Sequence, residues 1–152
     1  MALPHVPTLR IATLEDAATL DRLNTAFNDS SDGGEQIAQR LADPRRVDTP
    51  LLAEVDGQPV GFACLRVVPN LFYPTLYAEL TELYIEPKFR RQGIGRALVT
   101  FAEALASAQG AEGLKILTGD DNEEAHGLYR ALGYHDDEET VFVKRLEDAQ
   151  VF

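Results

Sequence analysis

The sequence predicts an α/β fold of the α+β type, in one domain that covers residues 1–152. The chain has 152 residues, of which 45% are hydrophobic, and this suits a single substantial core. Strand-like segments alternate with segments whose apolar residues recur at helical spacing. Asp56-Gly57 joins two of the strand-like segments, and both positions tolerate the positive φ that a tight antiparallel hairpin needs.

The first half of the chain predicts a strand, two helices and the two strands of the hairpin. In chain order these elements occupy residues 9–12, 14–27, 35–42, 51–55 and 59–68. Thr13 and Asp16 have the spacing of a helix-capping box before the first helix, with Asp in the place of the usual Glu. The turn-forming run at residues 28–34 ends that helix, so the second helix is a separate element.

The second half of the chain predicts three strands that alternate with two helices. In chain order these elements occupy residues 76–85, 95–108, 114–118, 123–132 and 141–146. An aromatic loop bounded by Pro69 and Pro74 leads into the first of these strands, and Gly133 ends the second helix. No repeat or linker interrupts this order, which agrees with a single domain.

A basic loop broken by glycines, residues 90–96, joins the long strand to the next helix. Gly93 and Gly95 lack a Cβ, so the backbone can approach a ligand closely. The first amides of the helix have no intrahelical acceptor and carry the positive end of the helix dipole, so a phosphate or pyrophosphate is their natural partner. Glycine spacing alone leaves an ordinary strand-to-helix turn equally plausible, and the loop is neither a P-loop nor a dinucleotide fingerprint.

Composition excludes several classes of function. The formal net charge of -11 argues against a nucleic-acid partner. The sequence has no long apolar run for a membrane span and no signal-like start, so we expect a soluble, cytoplasmic protein with no membrane partner. The three histidines and one cysteine show no ligand spacing, so no metal is expected. Cys64 cannot form an internal disulfide and is expected to pack as a small hydrophobic residue.

A second motif, residues 122–134, follows the glycine loop after one helix and one strand. It has the pattern Asn-x-x-Ala-x-x-Leu-Tyr-x-x-Leu-Gly-Tyr, and the glycine loop has Arg90-x-x-Gly93-x-Gly95. Together the two motifs resemble the GNAT superfamily of acyl-CoA-dependent N-acetyltransferases, whose second motif ends in Phe where this chain has Tyr134. The resemblance implies a mixed, mostly antiparallel central sheet of six to seven strands flanked by about four helices.

The resemblance also implies that acetyl-CoA is the cosubstrate. The end of the long strand would face the pantetheine arm through the backbone of Leu83, Tyr84 and Ile85. The pyrophosphate would be held by the loop residues Arg91, Gln92, Gly93, Ile94, Gly95 and Arg96, with Arg90 adding a possible ion pair. Asn122 precedes a helix, where capping is its default role, but the family's equivalent Asn also reaches the cofactor arm.

The family resemblance makes Tyr129 the general acid that protonates the departing CoA thiolate, although a buried Tyr could simply pack. Asn122 lies seven positions earlier, about two helical turns, so both side chains project from the same side of their helix. Acetyl transfer also needs a neutral amine, and an alkylamine with a pKa near about 10.4 is protonated at neutral pH. Some group must therefore accept a proton from the substrate.

Glu82 is the first candidate for this base. Strand alternation predicts that Leu80, Glu82 and Tyr84 share one face of the strand. Glu79 is the second candidate, and a solvated edge or a structural salt bridge explains either carboxylate equally well. His126 and His135 rank lower, because the first is in mid-helix and the second follows a helix end.

These features predict direct acetyl transfer to the primary amine of a small molecule, such as a cationic polyamine or an amino acid. The chain is strongly acidic outside its glycine loop, and clefts of one charge sign attract ligands of the opposite sign. The aromatic segment 72–74, Tyr77 and residues 27–35 occupy the positions where the family builds its acceptor cleft. The family also makes a homodimer possible. The alternatives are a non-catalytic acyl-CoA-binding sensor and a regulator that binds nucleotide phosphates.

Overall fold

A five-stranded sheet forms the centre of the computed structural model, which describes residues 6–146. The strands are β1 (Thr8–Ile11), β2 (Asp48–Val55), β3 (Gln58–Val68), β4 (Tyr77–Ile85) and β5 (Lys115–Ile116). The helices are α1 (Ala17–Asn28), α2 (Gly34–Ala42), α3 (Ile94–Gln109) and α4 (Glu123–Ala131). Residues 1–5 and 147–152 of the expected domain lie outside the described residues.

The strands are arranged in the order β1-β2-β3-β4-β5. Each neighbouring pair is antiparallel except β4 and β5, which are parallel, so the predicted mixed and mostly antiparallel sheet is confirmed. The predicted hairpin is also confirmed. Asp56 and Gly57 join β2 to β3 with φ values of 51° and 78°, the left-handed conformation that a two-residue turn needs.

The sheet separates two apolar clusters, each covered by two helices. Helices α3 and α4 cover one face, and the buried side chains there include Leu51, Leu65, Leu80, Leu98 and Tyr129. Helices α1 and α2 cover the other face, where the buried side chains include Leu20, Leu23, Leu52, Phe62 and Tyr84. The four predicted helices are therefore confirmed. No helix within residues 6–146 has the length and apolar character that a membrane span requires.

The register of β3 and β4 shifts by one residue at Thr81. Cys64 faces Glu82, whereas the next residue of β3, Leu65, faces Leu80. Thr81 is thus the extra residue of a β-bulge, which interrupts the alternation of side chains along β4. The prediction that Leu80 shares a face with Glu82 is wrong for this reason: Leu80 lies in the cluster under α3, and Tyr84 lies under α1.

The prediction of six to seven strands is also wrong, since the described chain forms five. Residues 141–146 have a strand-like sequence but no strand, and Phe142 is 93% exposed. The physical reason is that the neighbouring edge strand, β5, is short. β5 has two residues rather than the five predicted, so it offers little backbone for a further strand to pair with.

A partly buried ion network joins β1, β2 and the start of α1. The guanidinium of Arg10 donates to both carboxylate oxygens of Asp16, at 2.7 and 2.8 Å, and its Nε donates to Glu54 Oε1 at 2.8 Å. Asp16 also accepts the backbone N–H of Thr13 at 2.7 Å, as the predicted capping box requires. The Arg10 hydrogen bonds lower the pKa of Asp16 to about 2.

Candidate active site

The main cleft opens where β4 and β5 separate. The two strands are paired through Glu79 with Lys115 and Leu80 with Ile116, and within the described chain β4 continues alone on that edge to Ile85. Alternate residues of this stretch direct backbone N–H and C=O groups away from β3. The cleft has a volume of about 1170 Å³, and the glycine loop and the start of α4 form its other walls.

The glycine loop winds around the N-terminus of α3. Arg91 and Gly93 both have left-handed φ values, 61° and 84°, and Ala97 N–H is the first amide of α3 that donates within the helix, to Gly93 O at 3.0 Å. The amides of Ile94, Gly95 and Arg96 therefore have no intrahelical acceptor. A helix terminus of this kind binds a phosphate through backbone groups. The geometry thus fits the diphosphate of a CoA thioester.

The two glycines of the loop serve different purposes. A Cβ on Gly93 would meet no atom of the described chain within 4 Å, so glycine is required there by its backbone conformation. A Cβ on Gly95 would lie 3.3 Å from Leu128 Cδ2, so glycine favours the close approach of α3 and α4, and a larger residue would require Leu128 to shift. The sequence pattern had indicated a single role for both, close approach to the ligand.

The loop side chains also differ in their placement. Arg91 and Arg96 line the cleft, are exposed, and have no carboxylate partner among the described residues. Arg90 lines the cleft too, but its Nε donates to Ile85 O at 2.8 Å and its guanidinium lies 5.5 Å from the ring centre of Tyr84. Of the expected phosphate-binding residues, Gln92 and Ile94 do not line the cleft.

Gln92 and Ile94 have structural contacts instead. Gln92 Nε2 donates to Lys88 O at 3.3 Å, which closes the loop on itself. Ile94 is buried in the cluster under α3, so only its backbone amide is available to a ligand. Both positions therefore contribute to the shape of the loop rather than a side chain to the cleft.

Helix α4 brings two predicted residues to the cleft. Asn122 caps the helix, with Oδ1 accepting the N–H of Ala125 at 3.3 Å, and its amide nitrogen has no hydrogen-bond partner among residues 6–146. Tyr129 is 9% exposed, and within residues 6–146 its hydroxyl has no hydrogen-bond partner. Burial raises the pKa of Tyr129, so the phenol stays protonated at neutral pH. A proton donor therefore faces the cleft.

Glu82 lies between the main cleft and a second cavity of about 570 Å³, which we call the side cavity. The side cavity is bounded by α1, α2, residues 43–48 and the α1-facing side of the sheet. The carboxylate of Glu82 is half-buried and forms no hydrogen bond or ion pair with the residues that the structure describes. A carboxylate in this state is available to bind or deprotonate a cation.

Cys64 faces Glu82 across β3 and β4, and it also lines the side cavity. Burial, with a smaller contribution from the charge of Asp48, raises the pKa of the Cys64 thiol to about 11. The thiol is thus protonated at neutral pH and is a poor nucleophile.

The structure does not bring Glu79 to the same place as Glu82 and Tyr129. Glu79 accepts a hydrogen bond from the Tyr77 hydroxyl at 3.1 Å and is absent from the cleft lining. Neither of the two lower-ranked bases lines the cleft: His126 Nε2 lies 2.8 Å from Gly119 O, and His135 is exposed. In the described chain, no group of three or more His, Cys, Asp or Glu residues could hold a metal ion.

The segments expected in the acceptor cleft are only partly brought to the main cleft. Phe27, at the end of α1, stacks on Tyr84 with ring centres 5.4 Å apart and lines the main cleft. Residues 27–35 were expected in the acceptor cleft, and Phe27 is the one residue of that segment that lines either cavity in the described chain. The aromatic loop was expected in the acceptor cleft, yet Phe72 and Tyr73 are exposed and line neither cavity.

Comparisons with known proteins agree with the two motifs. Residues 14–134 match the acetyltransferase (GNAT) family. The chain is 30% identical to an aminoglycoside N(6')-acetyltransferase type 1 of Stenotrophomonas maltophilia over 91% of this chain and 92% of that protein. It is 34% identical to an aminoalkylphosphonate N-acetyltransferase of Salmonella typhimurium over 55% of this chain and 54% of that protein. The fold is similar to that of an aminoglycoside N-acetyltransferase in complex with CoA, with a TM-score of 0.72 and 21% identity over 91% of this chain and 98% of that one.

Proposed function

The chain belongs to the GNAT acetyltransferase family, and from this premise we propose that it transfers an acetyl group from acetyl-CoA directly to the primary amine of a small molecule. The observation that carries the proposal is the convergence of three features on one cleft. These are the free amides at the start of α3, the hydroxyl of Tyr129 and the carboxylate of Glu82. Within the described residues, neither of these two side chains has a hydrogen-bond or ion-pair partner. A sensor that only binds acyl-CoA would need the first feature alone, so this alternative is not favoured.

Acetyl-CoA supplies an activated thioester, and the chain supplies the contacts that hold it. The diphosphate would lie against the amides of Ile94, Gly95 and Arg96, with Arg91 and Arg96 adding charge. The pantetheine arm would lie along the free edge of β4 at Leu83, Tyr84 and Ile85, where a second strand would otherwise pair. The free amide nitrogen of Asn122 gives a further donor on the opposite wall.

The transfer removes two protons from the substrate ammonium and adds one to the departing sulfur, and two side chains are suited to these steps. The amine nitrogen attacks the acetyl carbon, the carbon–sulfur bond breaks, and the Tyr129 hydroxyl gives its proton to the sulfur. The nitrogen then loses its second proton, which restores the Tyr129 phenol. The raised pKa of Tyr129 supports this role, since the group must be protonated beforehand. Glu82 takes the proton that the substrate ammonium must lose.

Glu79 remains the second candidate for the base. Its hydrogen bond with Tyr77 and its position outside the cleft lining favour Glu82. The two candidates can be tested separately, because each can be changed to Gln without a change of size.

The proposed acceptor is a small cationic amine, of the polyamine or amino-acid kind. The net charge of -11 and the free carboxylate of Glu82 support an ammonium group at this site. The relatives named above act, by their names, on aminoglycosides and aminoalkylphosphonates, which also carry amines.

We also propose a homodimer, located in the cytoplasm where acetyl-CoA is available. The support for dimerisation is the apolar segment with Val141, Phe142 and Val143, whose side chains are exposed, together with the short strand β5. Light scattering at several protein concentrations would measure the mass directly, and a constant monomer mass would contradict the proposal.

The experiment that tests the proposed activity is a panel of primary amines with acetyl-CoA, followed by release of the CoA thiol. The panel should include polyamines, amino acids, aminoglycosides and aminoalkyl acids. Amine-dependent thiol release together with an acetylated product would establish the reaction. Binding of acetyl-CoA without turnover of any amine would favour the sensor.

A further inference from the structure

The side cavity contains six charged residues, and four of them are already neutralised by ion pairs. Arg40 pairs with Asp32, Asp43 pairs with Arg45 at 2.8 Å, and Asp48 pairs with Arg66 at 2.7 Å. The other two residues, Arg46 and Glu82, have no ion-pair partner in the described range of the chain. The cavity therefore presents one free positive group and one free negative group to whatever enters it.

Arg46 is held in place by backbone groups rather than by a carboxylate. Its Nε donates to Leu41 O at 3.1 Å, and its Nη1 donates to Asp48 O. A guanidinium has five N–H groups, so these two bonds fix its plane and leave the Nη2 side of the fork unused. The N–H groups that remain on Nη1 and Nη2 can donate to the oxygens of a carboxylate or a phosphonate.

The uncharged part of the lining is largely apolar. Leu20, Ile37, Leu41 and Phe62 contribute side chains from α1, α2 and β3. A cavity of about 570 Å³ is in the size range of small-molecule sites. Its lining therefore matches a molecule with a cationic end, an aliphatic middle and an anionic end.

We propose that the side cavity selects an acceptor that carries an anionic group, a carboxylate or phosphonate, separated by an aliphatic chain from its primary amine. The inference rests on the proposed acetyl transfer and narrows its acceptor. The amine lies at Glu82, next to the main cleft, and the anionic group lies at Arg46. Of the two kinds of acceptor named above, this favours the amino-acid kind over the polyamine, because a second ammonium at Arg46 would be repelled.

The test uses acceptors of equal chain length that differ only at the far end, namely an ω-amino carboxylate, an ω-aminophosphonate, a diamine and an amino alcohol. Thiol release gives kcat/KM for each one. We expect the two anionic acceptors to exceed the amino alcohol by about 2- to 10-fold, because Arg46 is exposed and solvent partly screens its ion pair with the ligand. The diamine should fall below the amino alcohol.

Variants then assign the preference to Arg46. Arg46→Gln should bring the ratio of anionic to neutral acceptors close to one, and Arg46→Lys should leave an intermediate ratio. Arg130→Gln is the control, because Arg130 is an exposed arginine that lines neither cavity. It should keep the ratio of the unchanged protein, and circular dichroism should show that all three variants are folded.

The outcomes separate this inference from the proposed activity. If the diamine or amino alcohol is acetylated as well as the anionic acceptors, or if Arg46→Gln keeps the preference, the inference is overturned and acetyl transfer stands. If no amine supports thiol release, the proposed activity fails. Calorimetric binding of the ω-amino carboxylate and the amino alcohol to the unchanged protein and to Arg46→Gln then decides the inference without turnover, since equal affinities would overturn it.

Discussion

Glu82 faces Cys64 across β3 and β4, one step beyond the bulge at Thr81. Without the bulge, a regular strand with Leu80 buried under α3 would direct Glu82 into the same apolar cluster. With it, the carboxylate lies on the other face, between the main cleft and the side cavity. The register shift thus keeps a charged side chain out of the core and beside both cavities.

The proposed role of Glu82 as the base is tested by Glu82→Gln. We expect kcat to fall by about 10²-fold near neutral pH, where the amine is protonated and its proton must be accepted. The loss of kcat in this variant should become smaller as the pH rises toward the pKa of the amine, because the unprotonated amine needs no base. Glu79→Gln is the matched control, and a pH–rate profile of both variants is the measurement. A loss in Glu79→Gln while Glu82→Gln keeps its turnover would assign the role to Glu79, and equal losses would assign it to neither residue alone.

The acid is tested by Tyr129→Phe. The phenyl ring keeps the packing of Tyr129 but cannot donate a proton, so turnover should fall by about 10²-fold or more while CoA affinity is kept. Tyr134→Phe is the control, since Tyr134 contacts the same ring and donates to Glu103 at 2.8 Å. It should lower the melting temperature but largely spare kcat. Unchanged activity in Tyr129→Phe would reduce this residue to a packing role.

The phosphate site is tested by Gly93→Ala against Gly57→Ala. Both glycines have a left-handed φ, 84° and 78°, and in the described chain no atom lies within 4 Å of where either alanine methyl group would be. Each variant should therefore lose about 1 to 2 kcal/mol of stability through backbone strain alone. Only Gly93→Ala should also weaken acetyl-CoA binding, because Gly57 lies in the hairpin turn, outside the cleft lining.

Thermal shift with acetyl-CoA is the measurement for this pair, with NAD and ATP at equal concentration as ligand controls. The unchanged protein should be stabilised most by acetyl-CoA. Equal shifts from all three ligands, or equal acetyl-CoA shifts in the two variants, would argue against the loop as a specific diphosphate site.

The ion network of Arg10 and Asp16 predicts a loss of stability in acid. The folded-state pKa of Asp16, about 2, lies below its usual 3.8, so its contribution is present above about pH 4 and is lost as the pH falls toward 2. The shift corresponds to about 2 kcal/mol. Asp16→Asn should lower the free energy of unfolding at pH 7 by at least this amount and flatten its dependence on pH between 2 and 4.

Asp43→Asn is the control for this prediction, because Asp43 pairs with the exposed Arg45 near the surface. Exposed pairs contribute little to stability, so this variant should retain the acid dependence of the unchanged protein. Urea titrations at a series of pH values measure both. If Asp16→Asn and Asp43→Asn change the free energy of unfolding by the same amount at each pH, the contact of Arg10 with Asp16 stabilises the fold no more than an exposed ion pair does.

Local sequence patterns predicted those features that short segments determine. Asp56-Gly57 predicted the hairpin, and the spacing of Asn122 and Tyr129 predicted that both lie on one side of their helix. The bulge at Thr81 could not be predicted, because a register is set by the partner strand and uniform alternation was assumed. The side cavity was missed for a similar reason: Arg46 and Glu82 are distant in sequence, and only the docking of α2 brings them to one cavity.

Glu82 forms part of the wall of both cavities, so the two substrates would reach the reaction centre through separate openings. Neither product needs to leave before the other substrate arrives, which predicts sequential kinetics with intersecting double-reciprocal lines instead of a ping-pong pattern. In an inhibitor that joins CoA covalently to an ω-amino acid, the linker would pass directly beside the Glu82 carboxylate. The length and polarity of its linker at that point would then decide how tightly it binds.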